Sequence, residues 1–186
     1  MNHQGTKVLD TKRLILRPFR RSDAEKMFAN WASDPEVTRF LTWPTHTSVD
    51  VARKVLDHWV ASYEKPDYYQ WAICLKENDE PIGSMAVVDG DFRIGRAEIG
   101  YCISRNWWGK GITAEALQAV MDYLFGDVGM NRMEARHDVN NPNSGKVMQK
   151  CGMKMEGIFP DYGCNNQGVC DIAQYAILKK DWRQQT

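Results

Sequence analysis

The apolar residues of this chain change their spacing along its length, and the changes divide it into elements. Arg13 to Phe19, RLILRPF, alternates polar and apolar residues and ends at a proline, the pattern of a half-buried strand. In the following SDAEKMFANWA, Ala24, Met27, Phe28 and Trp31 recur at helical spacing, with Ser22 placed as N-cap and Glu25 completing a capping box. DPEVTRFLTWP predicts a helix fragment that passes into a loop at Pro44. A second helix is predicted from about Val49 to Tyr63, with Val51, Val55, Leu56 and Trp59 on one face.

Period two then takes over. QWAICL (Gln70 to Leu75), the polar KENDE and PIGSMAVV (Pro81 to Val88) predict a hairpin. In AEIGYCI, Ala97, Ile99, Tyr101 and Ile103 face one way and Glu98, Gly100 and Cys102 the other. A helix from about Thr113 to Phe125, a strand RMEARHDV, and a short helix NSGKVMQKCG closed by Gly152 come next. KMEGIFP and DIAQYAIL predict two last strands, and KKDWRQQT a frayed end. This order describes an α/β chain whose sheet mixes parallel and antiparallel neighbours. With no long linker, residues 1–186 are expected to be a single domain with a core of about 12–180.

Composition narrows the partners. The 24 basic residues balance 24 acidic ones, so no global field is available to hold nucleic acid or an anionic membrane. Cys74, Cys102, Cys151, Cys164 and Cys170 form no CxxC pair and, with four histidines, no zinc spacing. Reduced thiols, no metal and a cytoplasmic location are the expectation. The opening MNHQGTKVLDTKR lacks the apolar stretch of a secretory signal, and no apolar run approaches the ~18 residues of a membrane span.

The chemistry concentrates in SRNWWGKGITAEAL, Ser104 to Leu117. A strand that ends in a glycine turn and feeds a helix N-terminus traps anions, because the first N–H groups of the helix are unpaired and its dipole is positive there. Gly109 and Gly111 let the backbone approach a phosphate, and Lys110 adds a cation. A Walker A loop is excluded: position 104 is Ser, and Gly111 follows Lys110. The dinucleotide fingerprint GxGxxG/A is formally met by Gly109, Gly111 and Ala114, with an acid at Glu134, but about 100 residues of other structure precede it.

A third pattern fits the context. AEIGYCISRNWWGKGITAEAL resembles the central motif of the GNAT superfamily of acyltransferases, a strand followed by Q/R-x-x-G-x-G/A and a helix, with Asn106 where Gln or Arg is usual. The Trp-Gly-Lys-Gly form is similar to the branch of ribosomal-protein N-terminal acetyltransferases, the RimJ/RimL type. TKRLILRPFRRSDAEKMF resembles that branch's opening strand and helix, DPEVTRFLTWP its acceptor-side segment, and NNPNSGKVMQKCGMKMEG its second CoA motif.

The resemblance implies a GNAT fold: a mixed, mostly antiparallel sheet with splayed parallel strands and flanking helices. It implies acetyl-CoA as co-substrate, its pantetheine docked like an extra strand against the backbone of Cys102 and Ile103. Amides of Trp108, Gly109, Lys110, Gly111, Ile112 and Thr113 would take the pyrophosphate, and Asn141 would contact the arm. Glu98 is the candidate base, acting through water, and an N–H near Ile103 the candidate oxyanion donor. Relatives often place a Tyr for the thiolate where this chain has Met148, so Ser144, or a bound water, is the candidate in its stead. Phe40 and Trp43 would wall the acceptor, and a homodimer through the last strands is one assembly the likeness leaves open.

Plainer roles stand beside these. Glu98 serves equally as a strand carboxylate paired with an arginine. Asn141 and Ser144 suit helix caps. Cys102 reads as a small buried residue rather than an acyl carrier, and Trp107 and Trp108 as packing. For the acceptor, a protein N-terminal amine competes with a polyamine, an amino acid or an aminoglycoside. A polycation would call for an acidic cleft, to which Asp34, Glu36 and Asp50 are candidates. Outside this class stand an NAD-dependent oxidoreductase and a CoA-binding module without turnover.

Overall fold

Eight strands form one sheet in this computed structural model, which describes residues 1–182. They are β1 (Leu9–Asp10), β2 (Leu14–Arg17), β3 (Gln70–Leu75), β4 (Pro81–Asp91), β5 (Arg96–Ile103), β6 (Arg132–Asp138), β7 (Lys154–Asn165) and β8 (Gly168–Leu178). Their spatial order is β1-β2-β3-β4-β5-β6-β8-β7, and β5 with β6 is the only parallel pair among the described strands. That pair is short. It runs from Arg96 opposite Arg132 to Glu98 opposite Glu134, after which the strands part while β5 continues to Ile103 and β6 to Asp138.

Two apolar layers hold the sheet. On one face α4 (Ile112–Tyr123) and α5 (Pro142–Lys150) cover Trp71, Ile73, Met85, Ile99 and Met133. On the other, α1 (Ala24–Met27), α2 (Pro35–Thr38) and α3 (Val49–Ser62) pack Met27, Trp31 and Leu56 over Ala72 and Cys74. The period-two segments supply the alternation this requires, and the helical stripe of Ala24, Met27 and Trp31 supplies the second layer.

Several expectations are corrected. Ser22 does not cap α1; a 3₁₀ turn (Arg21–Asp23) enters it, and the Asp23 carboxylate accepts from the Arg20 N–H at 2.7 Å. Glu25, expected in a capping box, pairs with Arg53. The helix also passes into a π turn (Phe28–Ala32), where Trp31 lies. Phe125 belongs to a second π turn (Leu124–Val128) that follows α4. β7 and β8 are longer than predicted, and β1 was not anticipated. The expected frayed end instead begins with α6 (Lys179–Trp182), because Trp182 packs on Phe125 and donates to Asp122 at 2.9 Å; residues 183–186 lie outside the described residues.

Candidate active site

The parting of β5 from β6 opens a gap between them, and cavities lie on both sides of the strand that carries Glu98, Tyr101 and Cys102. The direction of the β5 backbone follows from its register. Ser104 N–H donates to the Ile82 carbonyl beside the Gly83–Ile103 pair, which makes that pair non-hydrogen-bonded and Ser84–Cys102 the next hydrogen-bonded one. Cys102 therefore turns its backbone groups toward β4, and Tyr101 and Ile103 turn theirs into the gap. This corrects the expectation for Cys102. The Ile103 carbonyl is also engaged, accepting the Trp108 indole N–H at 3.0 Å.

A cavity of about 390 Å³ runs from this gap to the glycine loop. Gly109 (φ 71°) and Gly111 (φ 73°) are both left-handed, a conformation that costs residues with a Cβ about 1–2 kcal/mol. The two reversals deliver the chain to α4 with Gly111 as N-cap, leaving the first N–H groups of the helix facing the cavity that Ile112, Thr113 and Ala114 line. Arg13 fixes the loop, donating to the Lys110 carbonyl at 2.9 Å and pairing with Glu115 at 2.7 Å. Lys110 lies over the Trp107 ring, 4.8 Å from its centroid, while Trp108 is 46% exposed. From the opposite wall α5 contributes Asn141, Ser144, Lys146 and Lys150. Asn141 is the N-cap of α5 yet makes no side-chain cap bond, so its amide is not committed to the helix.

The second cavity, about 640 Å³, lies between the sheet and the α1–α3 layer. It exists because the sheet face beneath it is built of small residues: Ser84 opposite Cys102, and Ala86 opposite Gly100. Gly100 has no room for more, since a Cβ there would come within 2.7 Å of Val88 Cγ1. Phe40 and Trp43 both line this cavity, and Phe40 lines the first as well. Glu98 sits at its edge, 6% exposed, and Arg136 Nε reaches across the gap to Glu98 Oε1 at 2.7 Å. Burial pushes the Glu98 carboxyl upward, and Arg136 opposes the rise.

The helix position where relatives place a Tyr holds Met148, which is 1% exposed and part of the core. A phenol arrives from another element. Tyr101 donates its O–H to the Ser144 carbonyl at 3.0 Å, and the Ser144 hydroxyl donates to Tyr101 Oη at 3.1 Å. The Ser144 hydroxyl therefore belongs to a pair. Burial pushes the Cys102 thiol up to about 12, so it stays protonated near neutral pH and is a poor nucleophile. Asp34, Glu36 and Asp50 do not form an acidic cleft: Asp34 pairs with Arg105 at 3.0 Å, Asp50 with Arg53 at 2.7 Å, and none of the three lines either cavity. Among the described residues no group of three or more His, Cys, Asp or Glu is placed to hold a metal, and no helix is long and apolar enough to cross a membrane.

Sequence reasoning passed over Tyr101, Arg136, Lys146 and Lys150. The lysines carried a signal, being four apart on a predicted helix and therefore on one face of it. The alternation of β5 marked Tyr101 as a core residue, and it took the splay to turn its hydroxyl toward α5.

The description of the GNAT acetyltransferase domain matches residues 13–154. The chain is 34% identical over 175 residues to N-acetyltransferase p20 of Bacillus licheniformis, covering 94% of this chain and 98% of that one. It is 31% identical over 96 residues to the ribosomal protein uS5 alanine N-acetyltransferase of Escherichia coli (strain K12), covering 52% of this chain and 48% of that one. Its fold is similar to that of a GNAT-family acetyltransferase from Bacillus anthracis, with a TM-score of 0.81, 24% identity, and coverage of 94% and 99%.

Proposed function

The chain belongs to the GNAT acetyltransferase family and is an acetyl-CoA-dependent N-acetyltransferase; from that premise we propose that its acceptor is the N-terminal amine of a protein. The dinucleotide reading of the glycine loop falls with this assignment. The observation that carries the proposal is the second cavity. Its deeper lining is aromatic and neutral, formed by Trp31, Trp59, Gln70 and Ser84, and its charged groups, Glu98, Arg136 and Asp138, gather at the β5–β6 side. A polyamine would need carboxylates along its length, and Asp34, Glu36 and Asp50 do not line this cavity. The likeness to the uS5 alanine enzyme over about half the chain supports the same acceptor class.

The pyrophosphate of acetyl-CoA rests on the amides from Trp108 through Thr113, and Lys146 and Lys150 face its negative charge from α5. The pantetheine amides meet the Tyr101 and Ile103 backbone in the gap, with Asn141 on the far side. The neutral amine attacks the thioester carbonyl carbon; a C–N bond forms and the C–S bond breaks. Glu98, through water, takes the amine proton, and an N–H of β5 donates to the carbonyl oxygen as its charge grows. An α-amino group, with a pKa of about 8, needs far less help to lose its proton than a lysine side chain at about 10.4. Ser144 donates to the departing thiolate in exchange for its bond to Tyr101. Phe40 and Trp43 wall the acceptor's entry.

The test is an acetylation assay with peptides carrying free N-termini, read by mass spectrometry, beside spermidine, free amino acids and an aminoglycoside. Transfer to the peptide α-amine, and none to an internal lysine, is expected. Turnover confined to the small amines would overturn the acceptor assignment.

A further inference from the structure

The cavity beyond Glu98 carries polar groups that the reaction does not use. Gln70 of β3 sits opposite Ala86, which sits opposite Gly100, so this end of the cavity reaches two strands from β5, about 10 Å. Gln70 Nε2 donates to Ser84 Oγ at 2.7 Å, and both residues are buried. That bond leaves the Ser84 hydroxyl hydrogen and Gln70 Oε1 without another side-chain partner among the described residues. Trp31, 0% exposed, borders the same cavity, and its Nε1–H is fully buried with no hydrogen-bond partner among the described residues. A buried donor left unpaired is costly, and an indole N–H in a protein interior normally finds an acceptor. Among the described residues no ionisable side chain joins Trp31, Trp59, Gln70 and Ser84 at this end.

Resting on the protein N-terminal reading above, we propose that this end is a specificity pocket for the first side chain of the acceptor, and that it selects a neutral side chain bearing a hydroxyl or a carboxamide. The pocket offers one donor, the Ser84 O–H, and one acceptor, Gln70 Oε1, whereas the Trp31 N–H is sealed off from it. A hydroxyl or a carboxamide both accepts and donates, so it matches this set. An aliphatic side chain leaves the Ser84 donor and the Gln70 acceptor unpaired. A lysine or glutamate side chain enters a buried site with no counter-ion and is rejected more strongly. Ser84 lies directly across from Cys102, so its hydroxyl is within one strand spacing of the reacting edge.

The experiment measures kcat/KM on peptides identical except for the first residue, with Ser, Gln, Ala, Val, Lys and Glu in turn, and with spermidine as a separate acceptor. Ser and Gln peptides are expected to exceed Ala and Val by about tenfold, the worth of one hydrogen bond, with Lys and Glu slowest. Ser84→Ala removes the donor, and is expected to reduce the Ser-to-Ala ratio to about twofold or less. Gln70→Leu, which removes the acceptor, provides a second reading of the same ratio if the Ser84 variant folds poorly. Peptides acetylated without preference, a preference for Lys or Glu, or a Ser-to-Ala ratio unchanged in both variants would overturn this inference alone. Turnover of spermidine with no peptide acetylated would overturn the acceptor class and this inference together.

Discussion

Two arginines show how burial makes a single charge matter. Arg136 bridges the gap to Glu98, whose carboxyl is pushed up by burial and by the neighbouring Asp89 and Glu134, and held down by Arg136 and Arg96. Replacing Glu98 with Gln should lower kcat/KM by roughly 10²-fold or more, most severely at low pH, where the amine is protonated and most needs a base. Removing Arg136 takes away a cation that favours the charged carboxylate. In Arg136→Gln the acidic limb of the kcat/KM–pH profile should therefore move to higher pH, while the acetyl-CoA Kd holds. A profile that stays in place would remove Arg136 from the account. Arg17 is a structural counterpart. It is buried between Asp23, at 2.8 Å, and Asp79, at 2.7 Å. Arg17→Ala leaves the Asp23 carboxylate buried without its partner and should lower unfolding stability by about 3–5 kcal/mol in denaturant titration. The two sites have opposite signs in pH. The Asp79 carboxyl is held below its ordinary range by hydrogen bonds and charges of Arg17 and Arg20 that outweigh its burial, so its contribution to stability is present above that range and lost as pH falls. Glu98 is raised, so its charged form weighs against the fold above its elevated pKa, and that penalty disappears as pH falls.

At the scale of elements, the proposed binding surface is made by one strand that leaves its neighbour and one loop that reverses twice. The loop was legible because Gly109 and Gly111 are the residues that tolerate φ near 70°, and because a strand before and a helix after them give the turn its direction. The strand was legible in its alternation but not in its hydrogen bonding. Sequence alternation cannot say which neighbour a residue's N–H faces, so Cys102 and Tyr101 exchanged roles once the register was known. The Ser22 cap failed for another reason: Asp23, one residue on, is held by buried Arg17 and accepts the Arg20 N–H, and that tie from the preceding strand decides how the helix begins. Gly111→Val tests the loop. A branched side chain at φ 73° is strained, and its Cβ would stand 3.3 Å from Lys150 Nζ. Acetyl-CoA should bind at least about tenfold more weakly, with a loss of fold stability of about 1–2 kcal/mol.

Across the whole molecule, the loop proposed to wall the acceptor is held by the far end of the chain. Asn166, in the turn between β7 and β8, donates its side-chain amide to the carbonyls of Thr38 and Trp43 at 2.8 Å each, and its backbone N–H to Leu41 at 3.2 Å. The same hairpin is tied to β6 by Asn165, which donates to Asp138 at 2.8 Å. Phe40 and Trp43 thus lie in a loop clamped to the last hairpin, a link between residues more than 120 apart that no local pattern in the sequence could reveal. Asn166→Ala should raise the KM for a peptide acceptor severalfold while leaving acetyl-CoA affinity unchanged, as read by steady-state kinetics beside calorimetry. The order of strands and helices was readable because each burial pattern is local. The sheet's mixed character followed from that order, whereas the parting of β5 and β6 after Glu98 is a property of the assembled sheet. On that parting, and on the glycine loop into which β5 leads, the account depends. Titration calorimetry of the protein with acetyl-CoA, repeated on a Gly109→Val/Gly111→Val variant that retains its fold, tests it most directly. The account predicts micromolar binding by the wild type that is lost in the variant. Absence of binding by the wild type, or equal binding by both proteins, would contradict it.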